Sequence, residues 1–113
     1  MKQIIAYVRT HKLPAVALAL QNVEGLTGMS FTGVHGFGRH RAKNAEQRIV
    51  RDLVDFVSKD RIEVFCSDEI AENVIETIIN TAHEGLRGDG KIYVCDVSDA
   101  IRIGTKERGA SAV

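Results

Sequence analysis

The 113-residue sequence has no surplus of charge of either sign and no long hydrophobic run. Its 15 lysine and arginine residues balance 15 aspartate and glutamate residues, so it lacks the basic footprint of a nucleic-acid-binding protein. No apolar stretch approaches the roughly 18 residues that a membrane-spanning helix needs. The first residues also lack the apolar core of a signal peptide. We therefore expect a cytoplasmic protein with no nucleic-acid partner and no direct membrane insertion.

Cysteine is scarce, and its spacing excludes the usual metal and redox motifs. The two cysteines, Cys66 and Cys95, form no CxxC pair. Both lie in apolar, strand-like runs, which favours buried structural thiols over a disulfide or a metal pair. The apolar content of 44% and charged content of 27% are typical of a globular protein. The length suits a single domain over residues 1–113.

Residue periodicity predicts a small α+β domain. Alternating apolar and polar residues predict four strands, which span residues 2–9, 29–34, 62–66 and 91–97. A first helix is expected to begin near Pro14 and to end at Gly25. A second is expected to begin after Ser67 and to end near Gly85. This order predicts a ferredoxin-like βαββαβ sandwich with a long loop between strands 2 and 3.

The predicted sheet has apolar residues on both faces. Two helices can cover only one face of four strands, and a face left in water should be polar. The second face nevertheless carries the side chains of Tyr7, Val34, Phe65, Tyr93 and Cys95. We therefore expect a closed homo-oligomer in which other subunits cover that face.

Two glycine turns are candidates for anion binding. Gly36-Phe37-Gly38-Arg39 and Gly88-Asp89-Gly90-Lys91 expose backbone N–H groups without Cβ interference, and each ends in a cation. Arg102 could add a guanidinium suited to phosphate. On spacing alone, a nucleotide-phosphate site and plain structural turns both remain open.

A set of short motifs resembles the PII signal-transduction family in order and spacing. The motifs are Thr27-Gly28-Met29, the run from Val34 to Arg39, Val54-Asp55-Phe56, Lys59, Ile62-Glu63, the run from Gly85 to Val94, Asp96-Val97 and Ile101-Arg102-Ile103. The resemblance implies a homotrimer with ATP or ADP bound in clefts between subunits, and Mg²⁺ as a companion of ATP. It also implies a regulatory protein, often in nitrogen metabolism.

The same resemblance implies which residues form each nucleotide site. Phosphates would lie against Gly36, Phe37, Gly38 and Arg39, and against Gly88, Asp89, Gly90 and Lys91 of the same subunit. Across the interface, the site would receive Thr27, Gly28, Met29, Ser30 and Arg102. His40 is a candidate for phosphate or effector binding, and Lys59 is a second effector-site candidate.

The long connection is expected to be the working arm. By the resemblance, residues 39–58 form the T-loop, which would bind a target such as a membrane transporter or a metabolic enzyme. Ala45, Ile49, Leu53 and Phe56 follow at helical spacing, so a helix and a solvated loop both remain open there. Residues from about 104 to 113 are expected to form a flexible tail.

Three departures from the family pattern affect the expected function. His40 stands where a glutamine commonly binds 2-oxoglutarate, residues 44–57 contain no tyrosine for uridylylation, and Gly104 replaces a usual second arginine. The alternative is a PII-like protein that senses another effector, or a metal through His35 and His40, and regulates a transporter or carbon metabolism. No nucleophile and base stand together, so we predict a non-enzyme with no catalytic residues and assign no metal ligands.

Overall fold

The protein is described by a computed structural model, which places residues 1–36 and 57–113. The elements are β1 (Lys2–Arg9), a 3-10 turn (Thr10–Lys12), α1 (Leu13–Gln21), β2 (Ser30–Gly36), β3 (Val57–Cys66), α2 (Asp68–Ala82), β4 (Gly90–Asp96) and a last 3-10 turn (Ala110–Ala112). The sheet order is β2-β3-β1-β4, and all neighbours are antiparallel. The predicted ferredoxin-like α+β fold is confirmed. No helix in the described ranges has the length and apolar character to cross a membrane.

The core lies between one face of the sheet and the two helices. Alternate residues of the central strands turn toward the helices, because side chains along a strand point to opposite faces. The fully buried side chains include Ile4, Val8, Val16, Leu20, Ile62, Val64, Val74 and Ile78. These positions recur at strand spacing in β1 and β3 and at helical spacing in α1 and α2, as burial of one face of each element requires.

The third strand begins earlier than its apolar residues suggest. Residues 62–66 were predicted, but β3 starts at Val57 because its first half pairs with β2, with Gly36 opposite Val57 and Gly33 opposite Asp60. Lys59 consequently lies within a strand. The remainder of the predicted arm lies outside the described residues, as do the helical interpretation of its apolar positions and the site residues Phe37, Gly38, Arg39 and His40.

The helix ends agree with the sequence signals in part. Pro14 stands in the first turn of α1 as predicted, but the helix ends at Gln21, ahead of Gly25. Ser67 precedes α2 with extended backbone and makes no capping hydrogen bond through its side chain. The N-terminal ammonium instead lies 2.8 Å from the Asp68 carboxylate. The hydrogen bond from this ammonium lowers the pKa of Asp68.

The face opposite the helices carries the expected apolar residues, beside the polar group of Gln3, Arg61 and Glu63. Strand register places Tyr7, Val34, Phe65, Tyr93 and Cys95 together on it. The rings of Tyr7 and Tyr93 meet edge to face with centroids 6.3 Å apart, while Phe65 and Tyr93 remain 43% and 49% exposed in the single chain. The expectation of two buried cysteines was wrong for Cys95, which is exposed because it points to this uncovered face on an edge strand.

The chain after β4 folds into a small hairpin, which differs from the flexible tail expected there. The Asp99 carboxylate accepts hydrogen bonds from the Arg108 guanidinium at 3.1 and 2.5 Å, and from the Gly109 N–H at 3.2 Å. An isolated bridge joins Ile101 to Arg108. Asp99 therefore ties the two ends of this hairpin together.

Candidate functional site

The second glycine turn is folded around one carboxylate. Asp89 accepts hydrogen bonds from the backbone N–H groups of Glu84 at 3.0 Å and Gly85 at 2.9 Å. Arg9 Nε donates to the other oxygen, Oδ1, at 3.4 Å, while His83 Nδ1 lies 3.4 Å from Oδ2, the oxygen that accepts from the two amides. The side chain of Asp89, predicted to belong to the nucleotide site, is therefore engaged by the turn itself. Its role is to shape the backbone that a ligand would meet.

Two cations lie directly beside Gly88. Arg9 donates to the Arg87 carbonyl and Lys59 donates to the Gly88 carbonyl. A Cβ atom added to Gly88 would lie 3.6 Å from Arg9 Nη2 and 3.8 Å from Lys59 Nζ. Gly88 has φ +84°, a conformation that side chains rarely adopt. The turn thus combines open backbone with a guanidinium and an ammonium.

Electrostatic repulsion between these two cations disfavours the charged form of Lys59. Burial lowers the pKa of the Lys59 ammonium from its usual value, and the Arg9 guanidinium lowers it further, while Asp89 acts in the opposite direction. Like charges held close together favour binding of an anion, which relieves their repulsion. Sequence reasoning missed Arg9 because only the pairing of β1 with β3 places it opposite Lys59.

Gly90 and Lys91 begin β4 beside this turn. Gly90 has φ +122° and lies so close to β1 that an added Cβ would be 1.8 Å from the Tyr7 carbonyl oxygen. Lys91 is exposed and stands opposite Tyr7, on the face away from the helices. Gly90 therefore allows the chain to pass from the turn into β4, and Lys91 adds a third cation beside the turn.

The remaining predicted residues divide into two groups. Gly36 ends β2 beside Val57, at the same end of the sheet as the Gly88 turn. Ser30 starts β2 opposite Glu63, six residues away from Gly36, or about 20 Å along the strand. Thr27, Gly28 and Met29 precede it. A single chain therefore does not bring the segment 27–30 to the Gly88 turn.

Arg102 also lies outside the immediate surroundings of the turn. β4 ends at Asp96 opposite Lys2, at the far end of the sheet from Gly90, and the hairpin with Arg102 follows. Arg102 is exposed, and its backbone N–H donates to the Glu107 carbonyl at 3.0 Å. Its guanidinium is thus available on the surface of this hairpin.

The sequence matches one family over nearly its whole length. The family model described as Nitrogen regulatory protein P-II covers residues 1–107. The chain belongs to the P-II family. A Nitrogen regulatory protein P-II of Klebsiella oxytoca and a Nitrogen regulatory protein P-II 1 of Escherichia coli K12 are each 43% identical to it over 113 residues, which cover both chains completely. A Nitrogen regulatory protein P-II of Rhizobium meliloti is 45% identical over the same length.

Membership of the P-II family fixes the general class of function. It supports a regulatory protein of nitrogen metabolism, as the resemblance in the sequence implied. The relatives carry the names of regulatory proteins, which fits the interpretation of a non-enzyme. Within residues 1–36 and 57–113, no three histidine, cysteine, aspartate or glutamate side chains come together as metal ligands. His35 is exposed on β2.

The Asp89 contacts predict an acid-sensitive turn in this P-II protein. Backbone hydrogen bonds, first from Glu84 and also from Gly85, and the contact with Arg9 lower the pKa of Asp89 in the folded state. The stabilisation is therefore present above the unfolded pKa of about 3.9 and is lost as the pH falls through the folded value. We expect the amides of Glu84 and Gly85 to lose protection from hydrogen exchange as the pH falls below about 4.

A pair of amide substitutions checks this assignment. Asp89→Asn should weaken protection at Glu84 and Gly85 near neutral pH and flatten its dependence on pH, after correction for intrinsic exchange. Asp99→Asn is the matched control, because Asp99 serves Ala100 and Gly109 and its pKa is also lowered, mainly by Arg108. Unchanged exchange at Glu84 and Gly85 in Asp89→Asn would contradict the assignment.

Proposed function

We propose that this P-II protein is a homotrimeric regulator that binds ATP or ADP between subunits and acts on a target protein through residues 39–58. The observation that carries the proposal is the pair of cations beside Gly88. Arg9 and Lys59 contact the Arg87 and Gly88 carbonyls of the turn, Lys91 follows it, and Gly88 places no Cβ between the backbone and a ligand. Such an arrangement suits a chain of phosphates better than a neutral ligand.

The separation of the predicted site residues supports an interface location. In one chain, the segment 27–30 and Arg102 stand away from the Gly88 turn. A neighbouring subunit packed on the apolar face of Tyr7, Phe65 and Tyr93 would cover exposed aromatic surface. The same neighbour would supply the missing residues to the nucleotide. A closed trimer satisfies both requirements.

The contact between Lys59 and the Gly88 carbonyl could couple the bound nucleotide to the conformation of the arm, residues 39–58. Lys59 is the third residue of β3 and directly follows residue 58, the last residue of the arm. The γ-phosphate of ATP adds charge that ADP lacks. The two nucleotides would therefore make different contacts with Lys59 and with the two glycine turns. Such differential contacts are what a ligand needs to shift a loop between states. The target would be a membrane transporter or a metabolic enzyme.

Calorimetric titration tests the proposal directly. The trimer should bind ATP and ADP saturably, and light scattering should give three times the 12.4 kDa mass of the chain. Titrations with and without Mg²⁺ and 2-oxoglutarate identify the effector that His40 and Lys59 would serve. If 2-oxoglutarate does not tighten Mg-ATP binding, another effector is sensed. A monomer, or a trimer that binds none of ATP, ADP and AMP, would overturn the proposal.

Lys91→Ala should weaken ATP binding by roughly 1–3 kcal/mol, because a charge-assisted contact to phosphate is lost. Lys2→Ala is the matched control, since Lys2 stands opposite Asp96 at the other end of β1. The control should bind ATP as the wild type does. Equal affinities of Lys91→Ala and the wild type would place the phosphates elsewhere.

A further inference from the structure

Helix α1 carries no charged residue, although one of its sides faces away from the core. Its nine residues, Leu13–Gln21, are apolar except for Gln21. On the side away from the sheet, Leu18 is 63% exposed, and Pro14 and Ala15 are exposed as well. A helix that is apolar on all sides is normally buried on all sides. The outer side of α1 therefore has the composition of a surface that a partner covers.

Helix α2 carries an acidic stripe on its outer side. Glu69, Glu72, Glu76 and Ile79 recur at helical spacing, and all four are exposed. The whole helix, Asp68–Ala82, contains no lysine or arginine. Among the described residues, no cationic nitrogen lies within 4 Å of the carboxylates of these three glutamates. The negative charge of the stripe is thus not neutralised by a neighbouring side chain.

The outer sides of the two helices adjoin each other. Lys12, directly before α1, lies 3.8 Å from the carboxylate of Glu84, just beyond the end of α2. At the other end of α1, a Cβ atom added to Gly25 would lie 3.5 Å from Ile70 in the first turn of α2. The helices therefore pack side by side in antiparallel directions. We call their outer sides the helix surface, which consists of Pro14, Ala15, Leu18, Glu69, Glu72, Glu76 and Ile79.

We propose that the helix surface is a docking site for a cationic amphipathic helix of a partner protein. The apolar side of that helix covers Leu18 and Ile79, and its lysine or arginine residues pair with the glutamates of α2. This surface is additional to the arm of residues 39–58, and its use does not depend on nucleotide binding. In the proposed trimer a neighbouring subunit packs on the opposite face of the sheet, so the helix surface stays open to a partner.

The charge of the helix surface argues against two other occupants. A second copy of the chain docked through the same surface would bring two acidic stripes together, and like charges across an interface repel each other. A membrane with anionic lipids would repel the glutamates in the same way. A cationic helix instead gains from both the apolar and the charged part of the surface. Complementary charge also accelerates its encounter with the protein.

A labelled peptide of defined composition tests the proposal by fluorescence anisotropy. The probe has about 18 residues of leucine and lysine, with leucine at every third or fourth position, so that it forms a helix with one apolar side. The wild-type protein should bind this lysine peptide saturably without added nucleotide. A peptide with glutamate in place of lysine should bind about tenfold more weakly or not at all.

Substitutions on the helix surface separate the apolar from the charged contribution. Leu18→Gln should weaken binding of the lysine peptide about 5- to 20-fold, because an apolar contact is lost, whereas Leu18→Met keeps that contact and should bind within about threefold of the wild type. The double variant Glu72→Gln/Glu76→Gln should bind about 3- to 10-fold more weakly at low salt, and added salt should reduce the difference. Glu107→Gln is the matched control, since Glu107 is exposed on the tail hairpin. Unchanged denaturant midpoints would show that all variants fold.

The outcomes decide between the possible occupants. Loss of affinity in Leu18→Gln and in the double variant, with Leu18→Met and Glu107→Gln unaffected, supports the inference. Equal affinity of all variants for the lysine peptide, or no binding by the wild type, overturns it. Two other Leu18-dependent results also overturn it: co-sedimentation with phosphatidylglycerol vesicles would indicate a lipid surface, and a mass that rises with protein concentration would indicate a second copy. The nucleotide titrations decide the proposed function separately.

Discussion

Gly90→Ala is expected to destabilise the folded protein by about 3 kcal/mol or more, because two independent penalties coincide at this residue. Its φ of +122° is one that alanine rarely adopts, and the new Cβ would lie 1.8 Å from the Tyr7 carbonyl oxygen and 3.0 Å from the Tyr7 carbonyl carbon. These are backbone atoms in the paired strand β1, opposite which Gly90 and Lys91 lie. The strand cannot withdraw without breaking the β1–β4 pairing.

Denaturant unfolding of the matched variant Gly28→Ala checks this reasoning. An added Cβ at Gly28 meets no atom within 4 Å, and its φ lies outside the left-handed region. Its unfolding free energy should therefore stay within about 0.5 kcal/mol of the wild type. Similar unfolding free energies for Gly90→Ala and Gly28→Ala would show that β4 can leave β1 at this point without cost. The strand register would then need revision.

Asp60→Val is expected to raise the unfolding free energy by about 1–3 kcal/mol. Asp60 is only 7% exposed and lies on the helix side of β3, beside buried Val8. Its Oδ2 atom is buried and has no hydrogen-bond partner among the described residues. A buried carboxylate oxygen without a partner loses its hydration and regains nothing. Valine has a similar volume and suits a strand, so it removes this cost without leaving a cavity.

Asp60→Asn is the informative companion. It keeps the shape and removes the charge, but it leaves a polar amide in the same apolar surroundings. Thermal and denaturant unfolding should rank the proteins as valine variant, asparagine variant and wild type, from most to least stable. A valine variant less stable than the wild type would show that the carboxylate has a partner in the folded protein. Unfolding measured at several protein concentrations would then show whether subunit association contributes to that stability.

The family motif describes the chemistry of the Gly88 turn incompletely. The sequence pattern predicted Gly88, Asp89, Gly90 and Lys91 as one ligand-binding unit. In the structure these residues have different roles. The Asp89 carboxylate accepts hydrogen bonds that stabilise the turn, and Gly90 allows the chain to pass close to the Tyr7 backbone as it enters β4. The positive charge beside Gly88 comes from Arg9 on β1 and Lys59 on β3. A substitution at Asp89 or Gly90 can therefore change the shape of the turn itself.

The fold class, the family and most of the core could be predicted from the order of the amino acids. Alternation in β1 and helical spacing in α2 follow directly from burying one face of each element, so these two periodicities are enough to assign Ile4, Val8, Val74 and Ile78 to the core. The apolar second face was equally visible, because Tyr7 and its neighbours break the alternation expected of a solvated sheet. Family motifs added the expectations about the glycine turns.

Contacts between residues that are distant along the chain could not be predicted in this way, because they depend on how the elements pack. The first half of β3 is mostly polar, and it pairs with β2 and, from Lys59 onward, also with β1, which no local pattern reveals. Arg9 reaches the Gly88 turn through the strand order, and Asp99 closes the tail hairpin through a contact nine residues away with Arg108. The exposure of Cys95 follows from its place on an edge strand. Local periodicity records which side of an element is buried, whereas contacts between elements depend on topology, and these contacts shape the site.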